Sequence, residues 1–320
     1  MADRARVAVL MSGRGSNMAA LLYAAKADDC PYEIVMVSGD KPDAAGFTIA
    51  EAEGIAVKRL DSKALGTSFW GALEKALNDA DVDLVALAGF MRIIPAEFVE
   101  RWAGRMINIH PSLLPKYKGL HTHQSAIDQG DTKTGATVHL VTPDVDSGEI
   151  LGQVEVAILP GDHAADLDAR VLIAEHQLYP RILGRYAARQ FDAGWIEEQV
   201  DMLAGKLPEV GRKTSHGSPG WQVGGEKSGK LFAIIADRHH GEDAVGLLVK
   251  ASGVDEMTGL IEAQPENYYW PKYYGASGWL GLKLNRRDVD WDQVSDWLER
   301  SWRVCAPKRL TRLIDIAETF

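Results

Sequence analysis

Apolar runs and amphipathic stretches alternate along the first part of the chain, up to about residue 190. The apolar runs are short and rich in Val, Ile, Leu and Met, and they lie at 6–11, 32–38, 55–59, 82–88 and 104–110. Such runs are typical of buried parallel strands, and the stretches between them, such as 18–27, have helical periodicity. Alternating strands and helices predict an α/β fold with a doubly wound, mostly parallel sheet.

The pattern changes after about Trp195. Residues 211–229 are rich in Gly, Ser, Lys and His, which predicts a linker or a mobile loop. Three further β-runs follow, at 231–237, 245–251 and 278–284. A terminal helix carries three tryptophans, which we interpret as core residues rather than as a surface that stacks bases: Trp291, Trp297 and Trp302. This part of the chain is predicted to be a second, smaller α+β domain.

Length, charge and cysteine content narrow the class of protein. The 320 residues exceed the usual size of a single core, so we predict two domains, 1–205 and 206–320. The net charge of −10 argues against a chain-wide nucleic-acid-binding role, which normally shows a basic footprint. Cys30 and Cys305 lie far apart, which argues against a disulfide framework or a cysteine zinc site. The N-terminal apolar run is too short for a signal peptide, and no window approaches the ~20 apolar residues of a membrane span, so a cytoplasmic protein is expected.

A glycine-rich turn at 12–17 (SGRGSN) stands between the first predicted strand and the first helix. Backbone N–H groups at a helix start lack helical partners and lie at the positive end of the helix dipole, where they can hold a phosphate. Met18 replaces the third glycine of a dinucleotide-binding fingerprint, and the P-loop ending is missing. A single phosphate is therefore more plausible than a pyrophosphate, and a tight turn without a ligand is an equal alternative.

The run at 106–110 carries two polar residues, Asn108 and His110, at alternate positions. Their side chains share one face of a strand, and the prolines that follow end this strand at the sheet edge where α/β proteins bind ligands. Both side chains could donate hydrogen bonds to an oxygen that becomes negative during attack on a carbonyl. Asp144 or Asp146, in a later loop, could keep the imidazole protonated. The alternative is a histidine that caps the strand end.

Other chemistries are also open from the residues alone. His121, His123 and His139 suggest a metal site, since an H-x-H pair with a third histidine and an aspartate could bind zinc, although no H-E-x-x-H spacing is present. Nucleophilic hydrolysis lacks a serine in a G-x-S-x-G elbow. Glu175 lies in a helical stretch, where the ordinary interpretation is a solvated carboxylate.

Four motifs occur together and in order: SGRGSN at 12–17, AGFMRII at 88–94, NIHPSLLPKYKGLHTH at 108–123 and GATVHLVTPDVDSGEILGQ at 135–153. Over roughly residues 5–195 they resemble the phosphoribosylglycinamide formyltransferase family. The resemblance implies a doubly wound sheet and transfer of a formyl group from 10-formyltetrahydrofolate, as co-substrate, to the amine of glycinamide ribonucleotide in de novo purine biosynthesis, without a metal. Formyltetrahydrofolate hydrolase and methionyl-tRNA formyltransferase share the core chemistry but differ in the loop that follows the N-x-H strand.

The resemblance also assigns roles to individual residues. Asn108 and His110 resemble the pair that polarises the formyl oxygen, and Asp146 resembles the carboxylate that sustains the imidazolium. The ribonucleotide site is assigned to Gly15, Ser16, Asn17 and Glu175. The folate site is assigned to Met91, Arg92, Ile93, Ile94, Asn108, Val141 and Asp144. One departure concerns a basic residue that the family commonly has before the helix after the third strand, where this chain has Gly-Thr-Ser at 66–68, with Lys63 as an alternative.

Residues 220–312 resemble the MmcQ/YjbR-like domain, a small α/β module that is often labelled DNA-binding on structural similarity. Its acidic and basic residues are about balanced, so no strong phosphate-binding footprint is present. The expected partners are small-molecule substrates. Nucleic acid is expected only through this second domain, a membrane is not expected, and a homodimer is left open, as is the role of the domain itself.

Overall fold

The computed structural model describes residues 4–225, 229–238, 243–287 and 289–317 of the chain, with side chains up to Arg312. It divides into two compact units, 1–188 and 189–320. Within the described residues, none of the helices is long and apolar enough to span a bilayer.

The first unit is built on a seven-stranded sheet in the order β3-β2-β1-β4-β5-β6-β7. Its strands are β1 Ala5–Met11, β2 Tyr32–Gly39, β3 Ala56–Arg59, β4 Leu84–Leu87, β5 Met106–His110, β6 Lys133–Leu140 and β7 Ile150–Ala157. The pairs among β1 to β5 are parallel, and β6 and β7 are antiparallel to their neighbours. The predicted mostly parallel sheet is confirmed.

Helices cover both faces of this sheet, as a doubly wound fold requires. They are α1 Ser16–Ala24, α2 Gly46–Ala52, α3 Ser62–Leu65, α4 Phe69–Asp79, α5 Ala96–Arg101, α6 Thr122–Asp128 and α7 Ala164–Ala188. Side chains alternate along β1, so that Val7 and Val9 pack with α1 and α7, whereas Ala8 and Leu10 pack with α4. The continuous apolar run that predicted this strand therefore reflects burial on both faces.

The topology brings several chain segments to one edge of the sheet. Strand β1 lies between β2 and β4, so successive strands are added on one side of β1 up to β3 and on its other side from β4 onwards. Ligands of α/β proteins bind at such a topological switch point. The segments after β1 and β4 are joined there: Ser12 N–H donates to Gly89 O at 3.1 Å, and Met91 N–H donates to Ser12 Oγ at 2.9 Å. The carboxyl end of β5, with Asn108 and His110, lies on the same edge.

The second unit contains a six-stranded antiparallel sheet in the order β12-β13-β11-β10-β9-β8. Its strands are β8 Val210–Ser215, β9 Ser218–Val223, β10 Lys230–Asp237, β11 Val245–Lys250, β12 Tyr268–Tyr269 and β13 Trp279–Lys283. Its helices are α8 Ala193–Ala204, α9 Val254–Ala263, α10 Trp291–Cys305 and α11 Lys308–Ala317. Trp297 and Trp302 of α10 are buried in the core, as predicted.

The predicted linker or mobile loop at 211–229 is wrong over most of its length. Strands β8 and β9 form an antiparallel hairpin there, and His216 and Gly217 connect them with φ of 51° and 85°. Two consecutive residues with positive φ make the type of tight turn that suits hairpin twist, and His-Gly is an uncommon signal for it. Residues 226–228 of the predicted loop lie outside the described residues.

The compact units of the structure divide at 188/189, whereas the predicted domains divide at 205/206, and that domain boundary stays a prediction. The difference is helix α8, whose residues Ile196, Val200 and Ala204 are buried in the same core as Trp221 of the second sheet. The pattern changes near the start of this helix, but α8 is an ordinary amphipathic helix whose apolar face does not reveal which sheet it covers.

Candidate active site

Strand β5 presents Asn108 and His110 side by side, and β6 runs antiparallel beside it. His139 is the register partner of Asn108, and Thr137 is the partner of His110. Asn108 Nδ2 lies 3.2 Å from His139 Nε2. His110 and His139 are both buried, while Asn108 is half-buried. An amide and two imidazoles therefore occupy one patch at the carboxyl end of β5.

The loop after β6 folds back and brings Asp146 to this patch. Asp146 Oδ2 lies 3.4 Å from His110 Nδ1, and Oδ1 lies 3.5 Å from His139 Nε2. The N–H of Gly119 donates to the same Oδ2 at 2.8 Å. Asp144, the other carboxylate considered from the sequence, is exposed. The geometry therefore selects Asp146 as the partner of the imidazole.

Asp146 is held as a carboxylate. Burial by itself would raise the pKa of Asp146, but the contact with His139 and the hydrogen bond from Gly119 outweigh it, and that pKa lies below its ordinary value. Its backbone has φ of 48°, a left-handed conformation that a non-glycine residue adopts at a cost of about 1–2 kcal/mol. The cost is consistent with a side chain that must point to a particular place.

Both ring nitrogens of His110 contact the protein. Nε2 lies 2.9 Å from the carbonyl oxygen of Tyr117. A carbonyl can only accept, so Nε2 carries a hydrogen and donates it. Nδ1, which faces Asp146, is then the nitrogen that can gain or lose a proton, and the carboxylate stabilises the cation that forms.

His139 is a residue whose place in the site the sequence reasoning missed, since it considered this histidine only as a third zinc ligand. Its Nδ1 lies 2.8 Å from Leu140 O and must donate to it, which leaves Nε2 between Asn108 and Asp146. An unprotonated Nε2 accepts from the Asn108 amide, and a protonated one donates to Asp146. The signal was the antiparallel register of β5 and β6, which a single sequence does not show.

The glycine turn at 12–17 joins β1 to α1 closely. Gly15 has φ of 76°, and a Cβ placed on it would lie 2.8 Å from the Cα of Gly46. The first backbone bond of α1 runs from Ala19 N–H to Gly15 O, so the N–H groups of the first turn of the helix have no helical partner. The turn therefore offers donors at a positive helix end, and a side chain at Gly15 would move them.

Glu175 on α7 lies beside this turn and is only 5% exposed, not the solvated carboxylate that the helical pattern alone favours. Asn17 Nδ2 donates to Glu175 Oε2 at 2.7 Å. Burial raises the pKa of Glu175 to about 7, although the Asn17 hydrogen bond acts in the opposite direction. One turn later, the Tyr179 hydroxyl donates to Leu87 O and Ile107 O, which fixes α7 against the neighbouring strands β4 and β5.

The residues assigned to folate fall into two groups. Met91 and Ile93 are 68% and 83% exposed, so two apolar side chains project from the segment after β4. Ile94 and Val141 are half-buried and pack against the core that α4 covers. The segment after β4 thus exposes two apolar side chains, while Ile94 anchors it to the core.

Arg92 lies between those residues and turns towards α4. Its guanidinium lies 4.9 Å from the ring centre of Phe69 and 5.9 Å from that of Trp70, within the range of cation–π attraction. These rings directly follow residues 66–68, Gly-Thr-Ser, where the resemblance led us to expect a basic residue. A positive charge therefore reaches this region from a different strand end.

The histidines considered as zinc ligands lie in different surroundings. His123 Nε2 lies 3.6 Å from Asp168 Oδ1, whereas His139 contacts Asn108 and Asp146. In the described part of the chain, no three His, Cys, Asp or Glu side chains are grouped so that they could hold a metal ion.

Comparison with known proteins identifies two sequence families. The profile of the formyl transferase family matches residues 5–183, and that of the YjbR family matches residues 205–304. Among curated proteins, the chain is 39% identical over 201 residues to the phosphoribosylglycinamide formyltransferase of Escherichia coli strain K12, covering 60% of this chain and 94% of that protein. It is 40% identical over 204 residues to the human trifunctional purine biosynthetic protein adenosine-3, where the match covers 61% of this chain and only 20% of that protein.

Solved structures agree with the sequence matches. The phosphoribosylglycinamide formyltransferase of Brucella melitensis superposes with a TM-score of 0.56 at 48% identity and covers 58% of this chain and 96% of its own. The glycinamide ribonucleotide transformylase 1 of Symbiobacterium toebii gives a TM-score of 0.57 at 37% identity, over 58% and 89%. Because the family profile spans more than half of the chain and the bacterial relatives are matched nearly end to end, the chain belongs to the formyl transferase family.

Proposed function

We propose that the protein transfers the formyl group of 10-formyltetrahydrofolate to the amine of glycinamide ribonucleotide, a step of purine biosynthesis. The observation that carries the proposal is the joint placement, at one sheet edge, of Asn108, His110 and Asp146 with the Asn17–Glu175 pair and the glycine turn. The names of the bacterial relatives, which are matched over nearly their whole length, support it.

In the proposed reaction the substrate amine attacks the formyl carbon. The new C–N bond forms as the carbonyl oxygen becomes negative, and the bond from that carbon to the folate N10 then breaks. One N–H of the Asn108 amide contacts His139, which leaves the second to donate to the oxyanion. Protonated His110 stabilises the oxyanion further through its positive charge, and Asp146, which faces Nδ1, sustains that charge. The proton lost by the amine ends on the folate nitrogen.

Glu175 is proposed to hold the substrate amine before attack. The amine of a glycyl group is largely protonated at neutral pH, and an ammonium beside a buried carboxyl favours its ionised form. A carboxyl whose pKa is about 7 can therefore bind the ammonium and then take up a proton near neutrality. The backbone N–H groups that follow Gly15 would hold the phosphate of the same substrate.

The folate is proposed to lie on the side of Asn108 opposite to the proposed ribonucleotide site. The exposed apolar side chains of Met91 and Ile93, with the loop after β6, would cover its pterin ring. Arg92, whose buried Nε has no hydrogen-bond partner, would offer a positive charge to a carboxylate of the folate tail. We place the reaction in the cytoplasm, since the free thiols Cys30 and Cys305 fit a reducing compartment.

A formyl-transfer assay on the full chain tests the proposal. The enzyme with 10-formyltetrahydrofolate is expected to form formylglycinamide ribonucleotide, and to release formate without an amine acceptor at least ~10²-fold more slowly, because the positioned amine has a high effective concentration. Equal rates with and without the ribonucleotide would identify a hydrolase instead. Formylation of methionyl-tRNA at a higher kcat/KM would also overturn the assignment.

Replacement of Glu175 is expected to separate binding from stability. Between pH 4.5 and about 7 the unfolded carboxyl ionises before the folded one, so this group lowers the free energy of unfolding as pH rises. Glu175→Gln should therefore stabilise the protein at pH 8 by about 3 kcal/mol at most, at 1.36 kcal/mol per pKa unit, and by little at pH 4.5. Its KM for the ribonucleotide should rise at least ~10-fold, because the charge that holds the ammonium is lost.

Urea unfolding at the two pH values and steady-state kinetics measure both effects. Glu100→Gln is the matched control, since Glu100 is an exposed carboxylate on helix α5. It should change neither the pH dependence of stability nor KM. A Glu175→Gln enzyme with unchanged KM would contradict the assigned role in amine binding.

The glycine turn gives a further prediction. Gly15→Ala must force the backbone at φ of 76° and displace the Cα of Gly46, so the N–H groups behind it should move. KM for the ribonucleotide should rise about tenfold, equivalent to ~1.4 kcal/mol, with KM for the folate nearly unchanged. Gly54→Ala, at φ of 74° with open space around it, is the control for backbone strain alone. An equal change in both KM values would mean that the phosphate binds elsewhere.

A further inference from the structure

The loop between β5 and α6, residues 111–121, contacts both members of the His110–Asp146 pair. The carbonyl oxygen of Tyr117 accepts from His110 Nε2 at 2.9 Å. The N–H of Gly119 donates to Asp146 Oδ2 at 2.8 Å. The geometry of the pair therefore depends on the conformation of this loop as well as on the strands.

Tyr117 adopts a backbone conformation that needs support. Its φ is 55°, in the left-handed region, which costs a non-glycine residue about 1–2 kcal/mol. This conformation directs its carbonyl to the imidazole. Ser112 Oγ donates to Lys116 O at 2.7 Å and to Tyr117 O at 3.3 Å, and these bonds restrain the backbone at Tyr117. A further restraint acts through the side chains.

That restraint is Asp131, which lies between α6 and β6. The Tyr117 hydroxyl donates to Asp131 Oδ2 at 2.7 Å, and Lys116 Nζ lies 3.0 and 3.1 Å from the two carboxylate oxygens. The N–H of Asp131 donates to Ala126 O at 3.1 Å, and this bond fixes the backbone that carries the carboxylate. The Tyr117 hydroxyl and the Lys116 ammonium lower the pKa of Asp131, which keeps it ionised at neutral pH.

We propose that Asp131 is a positioning residue for formyl transfer: through the Tyr117 hydroxyl and the Lys116 ammonium it holds the Tyr117 carbonyl against His110 Nε2. The proposal rests on the proposed function. With Nε2 held in this way, the neutral imidazole carries its hydrogen on Nε2, and Nδ1 is kept towards Asp146 as the nitrogen that exchanges the reacting proton.

Other titratable groups surround the imidazole and must be distinguished from Asp131. Asp146 and His139 lie on the β6 side, and His123 faces it from α6. On α7, Asp168 pairs with His123, and Glu175 with Asn17. Asp131 bonds to loop residues, so its effect on His110 passes through the Tyr117 peptide.

Four variants of the full chain test the proposal kinetically. Asp131→Ala removes both restraints and is expected to lower kcat about tenfold, with both KM values within about twofold, because geometry and not binding is lost. Asp131→Asn still accepts from the Tyr117 hydroxyl and should retain most of kcat. Tyr117→Phe should lie between them, since Lys116 keeps its partner. Glu155→Ala breaks the comparable exposed Lys133–Glu155 pair, at 2.7 Å, and should have no effect.

The pH profile and the tautomer of His110 separate positioning from a merely structural role. When the Tyr117 carbonyl no longer accepts from Nε2, the protonated form of His110 is less stable. The alkaline limb of the kcat profile of Asp131→Ala should therefore move to lower pH. Nitrogen-15 NMR of the imidazole should show the Nε2–H tautomer in the wild type and a mixture in Asp131→Ala. His110→Gln assigns the signals.

Each outcome has a defined meaning. A folded Asp131→Ala enzyme with a wild-type limb and a wild-type tautomer overturns the proposal, even if kcat falls, because the loss would then come from elsewhere. The same limb shift in Glu155→Ala would also overturn it. The NMR measurement requires no turnover, so if the wild type forms no formylglycinamide ribonucleotide, the proposed function fails while the positioning by Asp131 is still decided by the tautomer.

Discussion

Asp146→Asn is expected to lower kcat by a factor on the order of 10³–10⁴ while the protein remains folded. The amide keeps the shape of the carboxylate and an oxygen for the Gly119 N–H, but it loses the negative charge that pairs with His110 and His139. A buried imidazolium without its counter-ion is strongly disfavoured, so the positive charge that stabilises the oxyanion is lost.

Steady-state kinetics and circular dichroism together check this result. KM for both substrates should change little, because Asp146 is placed to act on the imidazole. Glu149→Gln is the control, an exposed carboxylate in the same loop whose backbone oxygen accepts from Leu140. Turnover of the Asp146→Asn enzyme within tenfold of the wild type would exclude the carboxylate from the mechanism.

Asn108→Ala should lower kcat by ~10²–10³, the usual effect of removing one oxyanion donor. The side chain is half-buried at the end of β5, and its loss leaves the backbone pairing with β6 intact, so the variant is expected to fold. The amide that contacts His139 is also lost, which would free that imidazole to donate to Asp146.

An isosteric variant separates the hydrogen bond from the volume of the side chain. Asn108→Asp keeps the size but replaces two N–H donors with a negative oxygen, so it should be at least as inactive as Asn108→Ala. Single-turnover measurement with saturating substrates gives the rate of the chemical step directly. An Asn108→Asp enzyme with wild-type turnover would mean that the formyl oxygen lies elsewhere.

The parts of the fold that rest on local periodicity were predictable. The apolar runs of the first unit predicted its parallel strands because burial on both faces leaves a continuous signal, as in β1 with Val7 and Ala8 on opposite sides. The hairpin of β8 and β9 was not predicted, because β8 is mostly polar and has no buried residue, and its stability comes from pairing with β9.

The candidate site, too, was predictable where it depends on local periodicity and not where it depends on contacts between distant segments. Alternation on one strand was enough to join Asn108 to His110, but the contact of His139 with Asp146 depends on pairing between β5 and β6 and on the return of a loop. The burial of Glu175 was equally hidden, since a helical pattern does not reveal that a carboxylate faces another segment, here Asn17. The resemblance assigned roles to Asp146 and Glu175, which periodicity alone did not, but it assigned none to His139.

The fully buried Tyr179 has a consequence for how two substrates meet. Its hydroxyl bridges the carbonyls of Leu87 and Ile107, next to Asn108, and it stands one helical turn from Glu175. Tyr179 thus links the helix that carries Glu175, which is proposed to hold the amine, to the strand that carries Asn108, which is proposed to bind the formyl oxygen. In a bimolecular transfer the effective molarity of the amine depends on how narrowly its distance to the carbonyl carbon is distributed. If the proposed sites are correct, we expect Tyr179 to narrow that distribution, because it fixes helix α7 against β4 and β5.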